Sequence, residues 1–97
     1  MKEKVYAYLE TIPKGKVTTY GRLAEQLGNK KLARVVGNVL HHNPDPGRYP
    51  CHRVVNSKGC LAEHYAFGGA AAQRKRLEDE GIAFEENGTV DLQKYEM

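Results

Sequence analysis

Cys51 and His52 stand side by side in the string Pro50-Cys51-His52-Arg53-Val54, where a thiol, an imidazole and a guanidinium follow one another on a backbone stiffened by proline. A thiol attacks as its thiolate, and a nearby imidazole or cation lowers the cost of forming that anion. The pattern therefore predicts a nucleophilic cysteine with a depressed pKa. A thiol–imidazole pair becomes a proton relay when a carboxylate fixes the imidazole tautomer and stabilises its charged form. Glu80, at the C-terminal end of a predicted helix, is the candidate, while Glu78 and Asp79 are expected to face solvent. Neighbouring side chains tend to diverge, so the proton would pass from Cys51 to His52 through a water. A buried, inert thiol is the commoner fate of a cysteine; Pro50 and the flanking His52 and Arg53 argue against it here.

Zinc is the competing chemistry. Cys51, His52, Cys60 and His64 supply four possible ligands. Their spacing follows none of the usual zinc patterns, and adjacent Cys51 and His52 would struggle to reach one tetrahedral ion together. No metal is expected. The start of the chain, Met1-Lys2-Glu3-Lys4, lacks the apolar stretch of a signal peptide, and no apolar run approaches a membrane span. The expectation is a cytoplasmic protein without membrane contact, in which both cysteines stay reduced.

The elements that position these residues follow from periodicity and punctuation. The 97 residues carry no repeat or linker, so one domain over 1–97 is expected. Val5, Tyr8, Leu9 and Ile12 recur at helical spacing, and Pro13 with Gly15 ends that helix. Thr18 and Thr19 offer N-caps for a second helix over 20–27, with Leu23, Ala24 and Leu27 inward and Gly28 as its stop. A third helix spans about 31–42 with Leu32, Val36, Val39 and Leu40 as its buried stripe. Two short helices around a glycine-containing turn read as helix-turn-helix, a pattern also common in proteins that never touch DNA. Pro44, Pro46 and Pro50 then hold an extended connection. Residues 53–55 form a short strand, and a fourth helix covers about 71–80. Asn87-Gly88 joins strands over 82–86 and 89–92 as a hairpin, either a wing or a structural cover. The class is mainly α with a small β component.

Charge favours a polyanionic partner. Residues 1–58 hold eleven Lys or Arg against four Asp or Glu, whereas residues 59–97 hold four against eight. A basic front half is the footprint of a phosphate-backbone binder. Lys30, Lys31 and Arg34 at the helical turn place that charge on the expected reading helix. His41 and His42, at its end, would cap carbonyls or meet phosphate.

From about Ile12 to Gly81 the chain resembles the DNA-binding, active-site domain of the O6-alkylguanine-DNA alkyltransferases. The resemblance rests on Pro13-Lys14-Gly15-Lys16-Val17, Thr19-Tyr20, Ala33-Arg34-Val35-Val36-Gly37, Asn43-Pro44, Pro50-Cys51-His52-Arg53-Val54 and Glu80-Gly81. It implies a winged helix-turn-helix domain that enters the minor groove of double-stranded DNA through its recognition helix and swings O6-alkylguanine out of the duplex. Arg34 would take the space of the extruded base, and Ala33 and Gly37 would keep the helix slim against the DNA. Lys30, Lys31 and Thr19 would contact the backbone. Cys51 would accept the alkyl group irreversibly, with His52 as base, Glu80 orienting it, Asn43 supporting the turn and Tyr20 donating to the departing guanine. A pocket of Tyr65, Val54, Pro50 and Arg53 is implied, with main-chain carbonyls of Cys51 and Val54 reading the guanine amino group. No cofactor is implied, and the protein would act once, as a monomer. The loop before Tyr65 is longer than usual, and Gln73 stands where many members have Lys. The chain looks most like the small bacterial members, near the alkyltransferase-like proteins, which bind the lesion without transfer and typically carry Trp at the acceptor position. The alternatives are such a damage-recognition protein, with a nucleotide-excision repair partner, and a small transcriptional or zinc-dependent DNA-binding module.

Overall fold

The computed structural model describes residues 2–45, 47–62 and 65–97. Helix α1 (Lys2–Leu9) buries Val5 and Leu9 and runs out ahead of Pro13, whose ring disfavours helical geometry in the residue before it. Strand β1 (Thr18–Thr19) passes directly into α2 (Tyr20–Gln26), because the Thr19 hydroxyl accepts from the Arg22 amide at 3.1 Å and caps the new helix. Gly28, at φ +99°, takes the left-handed turn that ends α2. Asn29 then starts a tight 3-10 turn over Lys30–Leu32 by accepting from the Lys31 amide, and α3 (Ala33–His41) follows. The expected single helix over 31–42 is therefore two pieces; the Asn29 side chain satisfies the first free amide and favours the tighter winding. Val36 and Leu40 form its buried stripe, with Leu32 and Val39 half-buried beside them.

The link expected to be extended instead doubles back, the Tyr49 amide donating to the Asp45 carbonyl at 2.9 Å, and leads to a 3-10 turn at Cys51–Arg53 and to strand β2 (Val54–Val55). Strands β1 and β2 pair in parallel, Thr18 opposite Val54 and Thr19 opposite Val55. Parallel neighbours need a long crossover, supplied here by α2 and α3. Successive residues of a strand point to opposite sides. Val54 accordingly enters an apolar cluster with Val5, Leu9, Leu23, Val36 and Leu40, while Val55 enters a second with Val17, Leu77, Ile82, Val90 and Tyr95. The acceptor turn is thus fixed between two cores. Helix α4 (Gly69–Asp79) buries Gln73 and Leu77, and Asp79 is followed directly by Glu80.

The C-terminal hairpin differs from expectation. Phe84 and Val90 form one antiparallel bridge around Asn87-Gly88, but the strand expected over 89–92 does not continue. The Val90 amide donates to the Gly59 carbonyl at 2.9 Å, and the Asp91 carboxylate caps helix α5 (Leu92–Tyr95) through the Gln93 amide. The last residues then return to β1: the Val17 amide donates to the Tyr95 carbonyl and the Met97 amide to the Val17 carbonyl. No helix among the described residues is long and apolar enough to cross a membrane.

Gly59 sits at φ +80°, and a Cβ there would collide with the Val90 carbonyl oxygen. Gly59→Ala should cost roughly 2–4 kcal/mol. Urea denaturation would measure this, and an unchanged midpoint would mean that residues 59 and 90 can separate freely.

Candidate active site

Asn43 closes the loop that presents the cysteine. Its Nδ2 donates to the Tyr49 carbonyl at 2.7 Å and its Oδ1 accepts from the Asp45 amide at 2.9 Å, so one amide side chain gathers the chain on both sides of the turn. The Cys51 amide donates to the Tyr49 carbonyl and the Arg53 amide to the Pro50 carbonyl, completing the 3-10 turn. Cys51 is only 5% exposed, but it borders a cavity of about 230 Å³ that opens beside α3 and is lined also by Tyr20, Gly37, Leu40, Tyr65 and Gln73.

Behind the turn, Arg53 and His52 converge on one carboxylate. Arg53 donates from Nε to Glu80 Oε1 at 2.9 Å and from Nη2 to Oε2 at 2.6 Å, and from Nη1 to the Ile12 carbonyl at 2.6 Å. His52 Nε2 lies 2.9 Å from Glu80 Oε2. Burial pushes the Glu80 carboxyl up, yet hydrogen bonds from Arg53 and His52 outweigh it and hold the group below its ordinary value. Burial also lowers the His52 pKa, with Glu80 opposing and the Arg53 and Arg76 cations assisting. A neutral imidazole beside a carboxylate must carry its proton on Nε2. Nδ1 is then a bare acceptor, and it is buried without a hydrogen-bond partner among the described residues.

The thiol itself is shifted opposite to the sequence expectation. Burial raises the Cys51 pKa; the Asn43 amide, the Tyr65 hydroxyl and the Arg76 charge only partly offset this. The cation next to it in sequence, Arg53, is spent on Glu80 and does little for the sulfur. Tyr65 is pushed up to about 12, by burial first and then by the facing thiol, and its hydroxyl lies close to the sulfur without being aligned for a hydrogen bond to any described group. Tyr20 is raised for the same two reasons. Both phenols remain hydrogen-bond donors at neutral pH.

A sequence profile described as the DNA-binding domain of 6-O-methylguanine DNA methyltransferase matches residues 1–82. The chain belongs to this family. Among its relatives, the bifunctional methyltransferase/endonuclease of Picrophilus torridus is 41% identical over 91 residues, 94% of this chain but 30% of that protein. The chain thus spans less than a third of that relative. The DNA base-flipping protein of Vibrio parahaemolyticus is 38% identical over 92 residues, 95% of this chain and 90% of its own length. Among solved structures, Atl1 of Schizosaccharomyces pombe, in complex with damaged DNA containing O6-carboxymethylguanine, superposes with a TM-score of 0.85 at 35% identity, covering 99% of this chain and 93% of that one. The mainly helical fold with its two-stranded sheet is therefore the fold of the alkyltransferase DNA-binding domain.

Within that frame the residues singled out from sequence separate into three groups. Cys51, His52, Glu80, Asn43 and Tyr20 lie in or against the site. Arg34 is exposed on α3 and its guanidinium has no hydrogen bond or ion pair with a described residue; Ala33 and Lys31 lie close by in sequence, and Lys30 pairs loosely with Glu25 at 3.6 Å. A Cβ on Gly37 would meet nothing within 4 Å, so the missing side chain leaves open space on the cavity side of α3.

The third group is placed otherwise than expected. Thr19 is buried and its hydroxyl caps α2, which removes it from the surface. Of the four residues assigned to the pocket, Tyr65 alone lines it. Pro50 and Val54 are buried in the framework, and Arg53 turns away to Glu80. Of the two histidines, His42 Nδ1 bonds the Asn38 carbonyl at 2.9 Å, whereas His41 lines the cavity. No group of three His, Cys, Asp or Glu side chains among the described residues could hold a metal ion; His64, one of the possible zinc ligands, lies outside those residues, as does Pro46. Leu40, Ala62, Ala66 and Gln73 line the cavity without having been singled out as pocket residues. Gln73 was legible, because it falls four residues before Leu77 on the inward face of α4.

A buried neutral His52 makes the fold acid-sensitive. The unfolded chain takes up a proton below about pH 6.5 while the folded imidazole resists it, so stability declines as pH falls from that point. The Glu80 contribution is lost only further down, as pH passes below about 4.3 toward its depressed folded value. Thermal melts should show a midpoint falling between pH 7 and 5, and His52→Gln should flatten that slope. An equal slope in the variant would mean His52 is not held neutral.

Proposed function

We propose that this chain is a single-turnover DNA repair alkyltransferase that binds duplex DNA as a monomer and moves the alkyl group of O6-alkylguanine onto Cys51. The observation that carries the reading is the placement of the sulfur: it borders a cavity beside α3, with a neutral histidine and an anionic carboxylate behind it. Helices α2 and α3 serve as a helix-turn-helix and residues 82–90 as its wing. Helix α3 enters the minor groove, Arg34, without a partner among the described residues, fills the gap left by the extruded base, and Gly37 lets the duplex approach. The base-flipping relative and the neighbour bound to damaged DNA support this mode of binding. Extrusion is required because the reacting carbon lies inside the duplex, and a mispaired lesion costs less to unstack.

The chemistry follows from the protonation states. Cys51 rests as a neutral thiol, so its proton leaves only when a base accepts it. His52 Nδ1 takes that proton through a bridging water, and Glu80, locked by Arg53, stabilises the resulting imidazolium. The sulfur forms a bond to the alkyl carbon as the carbon–O6 bond breaks, and the electron pair departs with guanine. Tyr20 donates a hydrogen bond to the leaving base. The thioether does not hydrolyse, so one molecule repairs one lesion.

A second reading has its own support. A relative of which this chain spans 90% is named for base flipping, and burial keeps the thiol protonated. On that reading the protein flips and shields the base and recruits nucleotide-excision repair factors. Intact-protein mass spectrometry after incubation with a duplex containing O6-methylguanine separates the two: one added methyl group on Cys51 is expected, and tight lesion binding with no added mass would establish the recognition reading.

Cys51→Ser should abolish methyl uptake and keep lesion binding, so continued uptake would place the acceptor elsewhere. Arg34→Ala should weaken binding to the lesion duplex about tenfold more than to undamaged DNA, the worth of a modest part of the unstacking cost. Equal losses in a titration of both duplexes would reduce Arg34 to a phosphate contact.

A further inference from the structure

Gln73 is the polar side chain most deeply committed around the cavity. It is 1% exposed, on the inward face of α4. Its Nε2 donates to the carbonyls of His52 and Val54, both at 3.0 Å, and its Oε1 accepts from the Ala62 amide at 2.8 Å. Two carbonyls need donors and one N–H needs an acceptor, so the amide can be oriented in only one way. The two ends bind different segments. One carbonyl belongs to the turn that carries Cys51 and the other to the start of β2, while the Ala62 amide belongs to a different stretch of chain that also borders the cavity. Ala62, Cys51 and Gln73 all border the cavity. One side chain therefore links the stretch that carries Cys51 to a second part of the cavity lining.

We propose that Gln73 is a positioning residue that ties the Ala62 wall to the acceptor turn, and so narrows the alkyl pocket in favour of small O6-alkyl groups such as methyl. This deepens the proposed function and rests on it. A lysine at this position could donate to the two carbonyls but could not accept from Ala62. The wall would then lose its tether and the pocket its upper size limit. The Val54 carbonyl, expected from the family resemblance to read the guanine amino group, already accepts from Gln73, so an incoming base would share that oxygen rather than meet it free.

The test separates the tether from the functional reading. In a Cys51→Ser background, where no transfer occurs, duplexes containing guanine, O6-methylguanine or O6-benzylguanine are titrated, and amide hydrogen exchange is followed at Ala62. Gln73→Leu should speed Ala62 exchange by about tenfold or more and lower the preference for O6-methylguanine over guanine by about tenfold, with affinity for undamaged DNA kept within about twofold. Gln73→Lys should also free the Ala62 amide, keep the methyl preference, and raise the benzyl-to-methyl affinity ratio about tenfold. Unchanged exchange at Ala62 in Gln73→Leu would overturn the tether. An unchanged benzyl-to-methyl ratio in Gln73→Lys, with exchange already faster, would overturn the size limit. Absence of any lesion preference in the Cys51→Ser parent would sink the functional reading and the size limit with it, while Ala62 exchange would still judge the tether. Should Gln73→Leu fail to fold, Gln73→Lys and Gln73→Glu, which each keep part of the polar partnership, decide the same questions.

Discussion

The carboxylate of Glu80 is the point on which the site depends. Three partially buried ionisable groups meet there, and such a cluster is stable only when every charge finds a partner with good geometry. Arg53 meets the carboxylate with two parallel hydrogen bonds, the arrangement a guanidinium is shaped to make. That pairing leaves Glu80 ionised at neutral pH, which fixes the proton of His52 on Nε2 and exposes the lone pair of Nδ1. The third Arg53 contact, to the Ile12 carbonyl, ties the same guanidinium to the stretch that follows α1. One arginine thereby joins the beginning of the chain, the acceptor turn and the end of α4.

The framework around this point is apolar and divided. Because Val54 and Val55 face opposite ways from a two-residue strand, each core holds one side of the same short segment. Burying such side chains is worth about 1.5–3 kcal/mol each. The turn carrying Cys51 is consequently braced by packing on both sides as well as by hydrogen bonds from Asn43, Arg53 and Gln73.

Signals confined to a few neighbouring residues were legible in the sequence. Thr19 reads as a cap, Gly28 as a stop and Pro13 as a terminator, since each acts on the backbone within one turn of itself. The Cys51, His52 and Glu80 set was legible through its residue types and through the family resemblance. What escaped sequence reasoning depends on groups far away in the chain. The strand expected over 89–92 stops at Val90, whose amide goes to Gly59 some thirty residues earlier, and the Asp91 cap turns the chain into α5. Arg53 looked like an activator of its neighbour, but its charge is consumed by a residue 27 positions later. The direction of the thiol shift was missed for the same reason: adjacency suggested stabilisation of the anion, whereas burial at the edge of the first apolar cluster favours the neutral form.

The order in which contacts can form carries a consequence for when the thiol becomes chemically distinctive. The parallel pairing joins residues 18 and 54, the carboxylate cluster joins 12, 52, 53 and 80, and the final residues close onto 17. Contacts between remote stretches of chain bear the largest entropic cost of closure and come late in folding. A nascent or partly opened molecule therefore carries an ordinary cysteine, and the special environment of the sulfur arises only at the last stage of assembly.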